Sequence, residues 1–158
     1  MHYFWINTST AVKKSNVHGL CRYSTESIVK DDVIFVAGGL AKNIKESKWY
    51  KGLLIDQDIV LDLPEGSEYE AYVNHSCEPN CYVDGQIVFR ALRDINPNEF
   101  LTVDYGTFMI TKSDPIPKCN CGSATCRGKV TGEDYKFLML PLSWYAQKRK
   151  FDENNHDR

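Results

Sequence analysis

The sequence predicts a mostly β fold with short helices, in which small antiparallel sheets form one compact body. Its apolar runs are short and evenly spaced, turn residues separate them, and no long helical pattern lies between them. The chain has 158 residues, of which 42% are hydrophobic, and this suffices for one domain with one core. The short, evenly spaced runs and the lack of long helical patterns between them argue against a doubly wound parallel sheet.

Most of the predicted elements are strands. The β-rich runs are Val33–Val36, Gly52–Ile55, Ile59–Leu63, Ile87–Leu92 and Phe100–Val103. The second and third of these form a predicted hairpin, and a turn at residues 64–67 follows it. Near the end of the chain, Ser143 is a candidate cap for a short helix through Lys150, which we expect to dock on the body.

The segment from Ile110 to Arg127 cannot fold by hydrophobic burial, because prolines, glycine and cysteines replace core-forming residues. Cys119, Cys121 and Cys126 crowd into eight residues, a density that suits a closed tetrahedral zinc site. The fourth ligand must come from elsewhere, and these three cysteines leave the choice open among the other three cysteines and the four histidines. Disulfides are disfavoured, because the N-terminus has no secretion signal.

Two further segments are rich in polar chemistry. Residues 74–81 read Asn-His-Ser-Cys-Glu-Pro-Asn-Cys, and residues 99–106 place Tyr105 at the end of a strand, before Gly106. Taken alone, the first segment fits a structural turn as well as a functional site. Taken alone, the second fits an ordinary strand tyrosine better than a pocket edge.

The order of these motifs resembles that of a known family. Asn-His-Ser-Cys-x-Pro-Asn is followed by Leu-Thr-x-Asp-Tyr and then by Cys-x-Cys-x4-Cys-Arg-Gly. This succession is similar to SET-domain protein lysine methyltransferases that carry a post-SET zinc motif. His18-Gly19-Leu20 and residues 30–34 resemble the family's first cofactor segment and the strand after it. The resemblance covers roughly residues 9 to 130.

The resemblance implies a SET fold of small antiparallel sheets with a knot-like C-terminal threading and a zinc-stapled tail. It divides the chain into a SET domain over residues 9–108, a post-SET zinc-binding segment over 109–130, and a C-terminal helical extension and tail over 131–158. The implied activity is transfer of a methyl group from S-adenosylmethionine to the ε-amine of lysine in a protein substrate, with histones among the candidates.

The resemblance also implies roles for individual residues. Tyr105 is the expected catalytic residue, and Cys81 is left as a small buried cysteine. The expected cofactor contacts are His18, Gly19, Leu20, Asn74, His75 and Tyr105. The expected ligands of a structural zinc ion are Cys77, Cys119, Cys121 and Cys126.

Three positions depart from the family pattern. Val17 stands where the family usually has the first glycine of Gly-x-Gly, so the cofactor contacts on that side need not follow the pattern. Ala71 replaces a common arginine three residues before Asn74. Val103 replaces the usual Phe or Tyr two residues before the tyrosine, so the number of methyl groups added cannot be deduced from it.

Charge and composition limit the partners. The net charge is −2 and no basic-aromatic stripe surrounds the cysteines, so we expect no direct nucleic-acid binding and disfavour a zinc-finger nucleic-acid binder. No apolar run is long enough for a membrane span, and we expect an intracellular protein, nuclear or cytoplasmic. Two alternatives remain at this point: an inactive SET-like interaction module, and a methyltransferase acting on a free amino acid or small amine.

Overall fold

The computed structural model describes residues 4–47, 53–62, 71–111 and 114–156. These residues form short strands, one α-helix and three single 3₁₀ turns, in agreement with the predicted mostly β class. The strands are β1 (Trp5–Ile6), β2 (Thr10–Ser15), β3 (Gly19–Ser24), β4 (Val33–Val36), β5 (Leu40–Asn43), β6 (Leu53–Asp56), β7 (Ile59–Asp62), β8 (Asn74–His75), β9 (Cys81–Asp84), β10 (Val88–Ala91) and β11 (Thr102–Val103). The 3₁₀ turns are Ile44–Glu46, Tyr105–Thr107 and Asp134–Lys136, and the helix α1 is Trp144–His156.

The strands form three small sheets. The largest has the order β1-β4-β10-β9-β11-β8, while β2 pairs with β3 and β5-β7-β6 form the third. All pairings are antiparallel except those of β11, which runs parallel to both β8 and β9. In this register Val103 of β11 lies opposite His75 of β8 and Cys81 of β9. The chain that continues into Tyr105 is therefore placed beside the residues that follow β8.

The predicted strands are largely confirmed. Val33–Val36 has its predicted bounds, and the predicted hairpin is the β6–β7 pair. Gly52, Leu63 and the predicted turn at 64–67 lie outside the described residues. The run from Phe100 is shorter than predicted, because Phe100 makes only an isolated bridge with Tyr23 and the strand begins at Thr102.

The β2–β3 hairpin is missing from the sequence prediction. β2 reads Thr-Ala-Val-Lys-Lys-Ser and lacks both a continuous apolar run and a clean alternation of apolar and polar residues. Its partner β3 buries three of its six side chains, including Cys21 and Arg22. The sequence pattern of β2 therefore does not predict this hairpin, which is recognised only from the pairing of β2 with β3 in the structure.

The C-terminal helix docks on the body as predicted. Tyr145 and Ala146 share a buried cluster with Leu54 and Val60 of the three-stranded sheet. The hydroxyl of Ser143 accepts the Ala146 amide hydrogen at 3.3 Å and caps the helix. The predicted end at Lys150 is wrong, since the helix continues to His156.

The physical reason for the longer helix lies in its last two turns. Residues 151–156 contain neither proline nor glycine, so no residue there terminates the helix. Arg149 and Glu153, four positions apart, form an ion pair at 2.8 Å that supports this part of the helix. Within the described residues, no helix has the length and apolar character needed to cross a bilayer.

Close packing joins the C-terminal segment to the body. A Cβ atom at Gly132 would overlap the backbone oxygen of Thr111, so only glycine fits where the two segments pass each other. This contact brings residues 131–138 against the chain that leaves the 3₁₀ turn at Tyr105. The knot-like threading itself stays a prediction.

Candidate active site and metal centre

A cleft of about 240 Å³ lies between the body and the cysteine-rich tail. One side is formed by the β2–β3 turn, β8 and the tyrosine that follows β11, and the other by the tail. The lining residues are Val17, His18, Asn74, His75, Tyr105, Ile116, Lys118, Cys119, Asn120 and Cys121. The structure thus brings three motifs that are distant in sequence to one cleft, and the tail forms one of its walls.

The β2–β3 turn presents Val17 and His18 to this cleft. The hydroxyl of Ser15 accepts the amide hydrogens of Val17 and His18 at 3.0 and 3.2 Å, and Gly19 closes the turn with φ +73°. Gly19 and Leu20 begin β3 beside the cleft and are not among its lining residues. The backbone oxygen of Leu20 accepts a hydrogen bond at 2.8 Å from the Asn74 amide, which ties β3 to β8.

His75 is buried and fixed by two neighbours. Its Nδ1 accepts the backbone N–H of Tyr105 at 3.2 Å, and its Nε2 lies 3.4 Å from the sulfur of Cys77. Burial lowers the pKa of His75 to about 4, so the ring is neutral at neutral pH. Since Nδ1 faces a donor, the proton of the neutral ring belongs on Nε2, which then donates towards Cys77.

Tyr105 is half-buried and lines the cleft. Its hydroxyl donates to the backbone oxygen of Val73 at 3.2 Å, and its ring makes edge contacts with His75 and Phe108 at centroid distances of 5.5 and 5.6 Å. Burial, with a smaller contribution from the nearby Cys21 thiol, raises the pKa of Tyr105 to about 12. The phenol is therefore protonated at neutral pH, and its oxygen has a defined direction.

The thiols of the tail meet the body at Cys77. Ligand atoms of His75, Cys77, Cys119 and Cys121 all lie within 4.8 Å of one another, a spacing that a single metal ion can bridge. The thiol of Cys126 contacts those of Cys119 and Cys121, and its sulfur lies 3.6 Å from the backbone oxygen of Cys119. These donor atoms fit a zinc ion, and Cys77 of the body lies beside Cys119 and Cys121 of the tail. The group contains His75 and lacks Cys126, so the four-cysteine ligand set stays a prediction.

The two remaining cysteines lie within the body. Cys81 is buried and its sulfur donates to the Asn80 side chain at 3.4 Å, which confirms the prediction of a small buried cysteine. Cys21 is fully buried, and its thiol contacts Asn74. Neither cysteine belongs to the metal-ligand group found among the described residues.

A cluster of three charged residues beside Tyr105 was not predicted from the sequence. Arg127 donates two hydrogen bonds to Asp104, at 2.7 and 2.8 Å, and a third to Asp134 at 3.2 Å. Both carboxylates are buried, and the hydrogen bonds with Asp104 raise the pKa of Arg127. Asp104 lies in the Leu-Thr-x-Asp-Tyr motif and Arg127 in the Cys-Arg-Gly motif. Their places in these motifs were the sequence signal that could have marked them as functional residues.

Comparison of the sequence with known families gives a match. The model for the SET domain matches residues 19–106, and the chain belongs to the SET-domain family. A histone-lysine N-methyltransferase of Neurospora crassa, H3 lysine-4 specific, is 36% identical over an alignment 135 residues long that covers 73% of this chain and 10% of that protein. A histone-lysine N-methyltransferase of Schizosaccharomyces pombe, H3 lysine-4 specific, is 34% identical over an alignment 133 residues long that covers 72% of this chain and 14% of that protein.

Solved structures agree with this assignment of the fold. A crystal structure of KRYPTONITE in complex with mCHG DNA and SAH superimposes with a TM-score of 0.61 at 25% identity, covering 78% of this chain and 29% of that one. Another KRYPTONITE structure, with mCHH DNA, H3(1-15) peptide and SAH, gives 0.62 at 24% identity and supports the fold alone. The chain spans less than a third of each of these proteins.

Proposed function

We propose that this chain is an S-adenosylmethionine-dependent methyltransferase that methylates the ε-amine of lysine in a protein substrate. The observation that carries the proposal is the position of Tyr105, which lines the cleft together with Asn74, His75 and the tail and whose hydroxyl is oriented by Val73. The relatives named as histone-lysine N-methyltransferases support the activity. SAH, bound in the 25% identical KRYPTONITE structure, is the demethylated form of the proposed cofactor and supports its identity.

The proposed cofactor site is the cleft. His18, Asn74 and His75 line it beside Tyr105, while Gly19 and Leu20 act through the turn and through the hydrogen bond from Asn74. When bound, S-adenosylmethionine supplies an already activated methyl group. The chain itself supplies alignment, a dry environment and a route by which the substrate amine reaches this group in its neutral form.

Tyr105 is proposed as the residue that aligns the amine. Free lysine has a pKa of about 10.4, so the substrate must lose a proton before it reacts, and burial in a narrow site lowers that pKa. Tyr105 is a poor general base, because its own raised pKa of about 12 keeps the phenol protonated. Its contribution is an oxygen held by Val73 and an aromatic wall next to a cationic substrate.

For the zinc ion we propose the ligands Cys77, Cys119, Cys121 and Cys126. His75 lies in the same cluster, but its Nδ1 accepts the Tyr105 amide hydrogen and its Nε2 therefore carries the proton. A ligating histidine needs the opposite arrangement, with the metal on one nitrogen and a donated proton on the other. His75 is accordingly proposed as a hydrogen-bond donor to Cys77, and four thiolates complete a closed structural site.

Histone H3 is the first substrate to test, because the relatives are described as specific for H3 lysine 4. A histone substrate would place the protein in the nucleus. The expected absence of direct nucleic-acid binding stays a prediction, although the KRYPTONITE structures contain DNA. The inactive module and the small-amine methyltransferase are retained as outcomes of the experiment below.

The experiment is a methyl-transfer screen with isotope-labelled S-adenosylmethionine over histone H3 peptides, ribosomal proteins and free lysine, read by mass spectrometry. Label on a peptide lysine supports the proposal, and label on free lysine alone supports the small-amine enzyme. Cofactor binding without transfer to any of these acceptors would favour the interaction module. Failure to bind the cofactor at all would contradict the cofactor site.

A further inference from the structure

We propose that Arg127 and Asp134 are positioning residues for Tyr105, so that the C-terminal extension is part of the active-site framework. The proposal rests on the proposed function for the reaction, and on the structure for the contacts. Together with Asp104 these residues form a cluster of three charges in which both carboxylates are buried, called here the Arg127 clamp. The clamp holds the residues on both sides of Tyr105.

The first contact is on the N-terminal side of the tyrosine. Asp104 is fully buried and receives both terminal nitrogens of Arg127 on its two oxygens. The same carboxylate accepts the Gly106 amide hydrogen at 2.9 Å and caps the 3₁₀ turn that contains Tyr105. The direction of the Asp104 carboxylate therefore fixes the start of this turn, and the planar fork of Arg127 fixes that direction.

The second contact is on the C-terminal side. A Cβ atom at Gly106 would lie 2.7 Å from the Cβ atom of Asp134 and 3.1 Å from the Cδ1 atom of Leu138. The extension thus packs directly on the backbone that follows Tyr105. Asp134 is held by hydrogen bonds from the Thr131 amide and hydroxyl, as well as by Arg127. Its position is consequently set by the extension together with Arg127.

The clamp needs the positive charge of the Arg127 guanidinium, because its other two members are buried carboxylates. Asp104 and Asp134 are 0% and 4% exposed in their side chains, and Arg127 is the cation that pairs with both. Without it, these two buried carboxylates would lose the cation that both of them contact, and a buried charge left without its partner is strongly destabilising. A lysine would restore the charge but not the paired hydrogen bonds.

The clamp also connects the tail to the tyrosine. Arg127 directly follows Cys126, and its backbone amide donates to the sulfur of Cys77 at 3.4 Å. A tail that is pinned by its cysteines therefore brings the guanidinium to Asp104, and a detached tail removes it. We infer that docking of the tail completes the cleft wall and positions Tyr105 in a single step.

The test compares Arg127→Met, Arg127→Lys and Asp134→Asn with the control Arg93→Met in the full chain. Arg93 makes a similar fork with Glu99, at 3.3 and 2.8 Å, but the pair is exposed and lies in a separate turn. We expect kcat to fall by at least about tenfold in Arg127→Met and Asp134→Asn, with the peptide KM and the zinc content nearly unchanged. Arg127→Lys should recover part of the loss, and the control should keep native turnover.

A second measurement does not need a substrate. Hydrogen exchange of the amides of residues 105–108 should become about tenfold faster in Asp134→Asn, while that of β10 stays unchanged. Faster exchange in an enzyme that methylates no acceptor would support the clamp and defeat the proposed function. If Arg127→Met loses zinc, Asp134→Asn decides, since this residue lies outside the cysteine motif. Native exchange and native kcat in Asp134→Asn would overturn the inference.

Discussion

Replacing Tyr105 with phenylalanine separates alignment from stability. The substitution keeps the ring contacts with His75 and Phe108 and removes only the hydroxyl that donates to Val73. A single neutral hydrogen bond contributes about 1 kcal/mol to stability, so the variant should remain folded. Its turnover should fall by about a hundredfold or more, which corresponds to about 2.7 kcal/mol of lost transition-state stabilisation.

The assay is single-turnover methyl transfer to a verified peptide, with cofactor affinity measured by calorimetry. The affinity should change little, because the hydroxyl faces Val73 and the proposed amine route. Tyr82→Phe is a matched control, since it also removes one tyrosine hydroxyl, which donates to Asp31 at 3.0 Å on the surface. That variant should keep native turnover.

The pH profile distinguishes alignment from general-base catalysis. The rate should rise as the pH is increased from neutral to mildly alkaline values, because more of the substrate lysine is then neutral. With a pKa of about 12, Tyr105 stays protonated throughout this range and cannot cause the rise. The rise should therefore persist in Tyr105→Phe. A flat profile in the variant would assign the proton transfer to the tyrosine, and native turnover would remove it from the mechanism.

Two further changes test other parts of the site, and a third tests an ion pair outside it. Cys77→Ser should abolish stoichiometric zinc in metal analysis, whereas Cys81→Ser should retain it; unchanged zinc in Cys77→Ser would disprove the link between tail and body. Asn74→Ala should weaken S-adenosylmethionine binding strongly in calorimetry, because the amide also ties β8 to β3, and unchanged affinity would contradict its role. Hydrogen bonds from Arg93 and Asn96 lower the pKa of Glu99 to about 2. Since this pKa lies below the unfolded value, the stabilisation is complete above about pH 4.5 and is lost as the pH falls towards 2. Acid titration of unfolding should show a smaller loss over this range in Arg93→Met, and identical curves would refute the assignment.

The cysteine-rich tail shows how far the sequence could predict the site. Three cysteines in a segment without core residues predict a metal staple, because the segment has no other means of folding. The partner at Cys77 does not follow from these residues, since six cysteines allow several choices, and the motif resemblance was needed to select it. The contact between His75 and Cys77 could not be predicted at all, because it depends on which nitrogen faces the Tyr105 amide.

The Arg127 clamp was missed for a related reason. Asp104, Arg127 and Asp134 are separated by up to 30 positions and share no periodicity, so their proximity is a property of the tertiary fold. Gly106 and Gly132 look like ordinary turn glycines in the sequence. Both positions require glycine because the C-terminal extension and the preceding part of the chain approach each other closely there. The predicted domain boundary at residue 130 had treated the extension as a separate segment. Strands with a continuous apolar run, such as β4, were easier to predict, because burial leaves that pattern in the sequence, whereas β2 carries no such pattern.

Arg22 of the neighbouring hairpin holds the backbone at Ala71, where the family motif often has an arginine. The common arginine at position 71 is replaced by alanine, which would be expected to loosen the approach to Asn74. In the structure the buried Arg22 of β3 donates to the backbone oxygen of Ala71 at 2.8 Å and to the hydroxyl of Thr10 at 2.8 Å. Its backbone amide also donates to Tyr72, whose φ of +46° is unusual for a residue with a side chain. A guanidinium from the neighbouring hairpin thus fixes the backbone that leads to Val73 and Asn74, and the carbonyl that orients Tyr105 is held in place without an arginine at position 71.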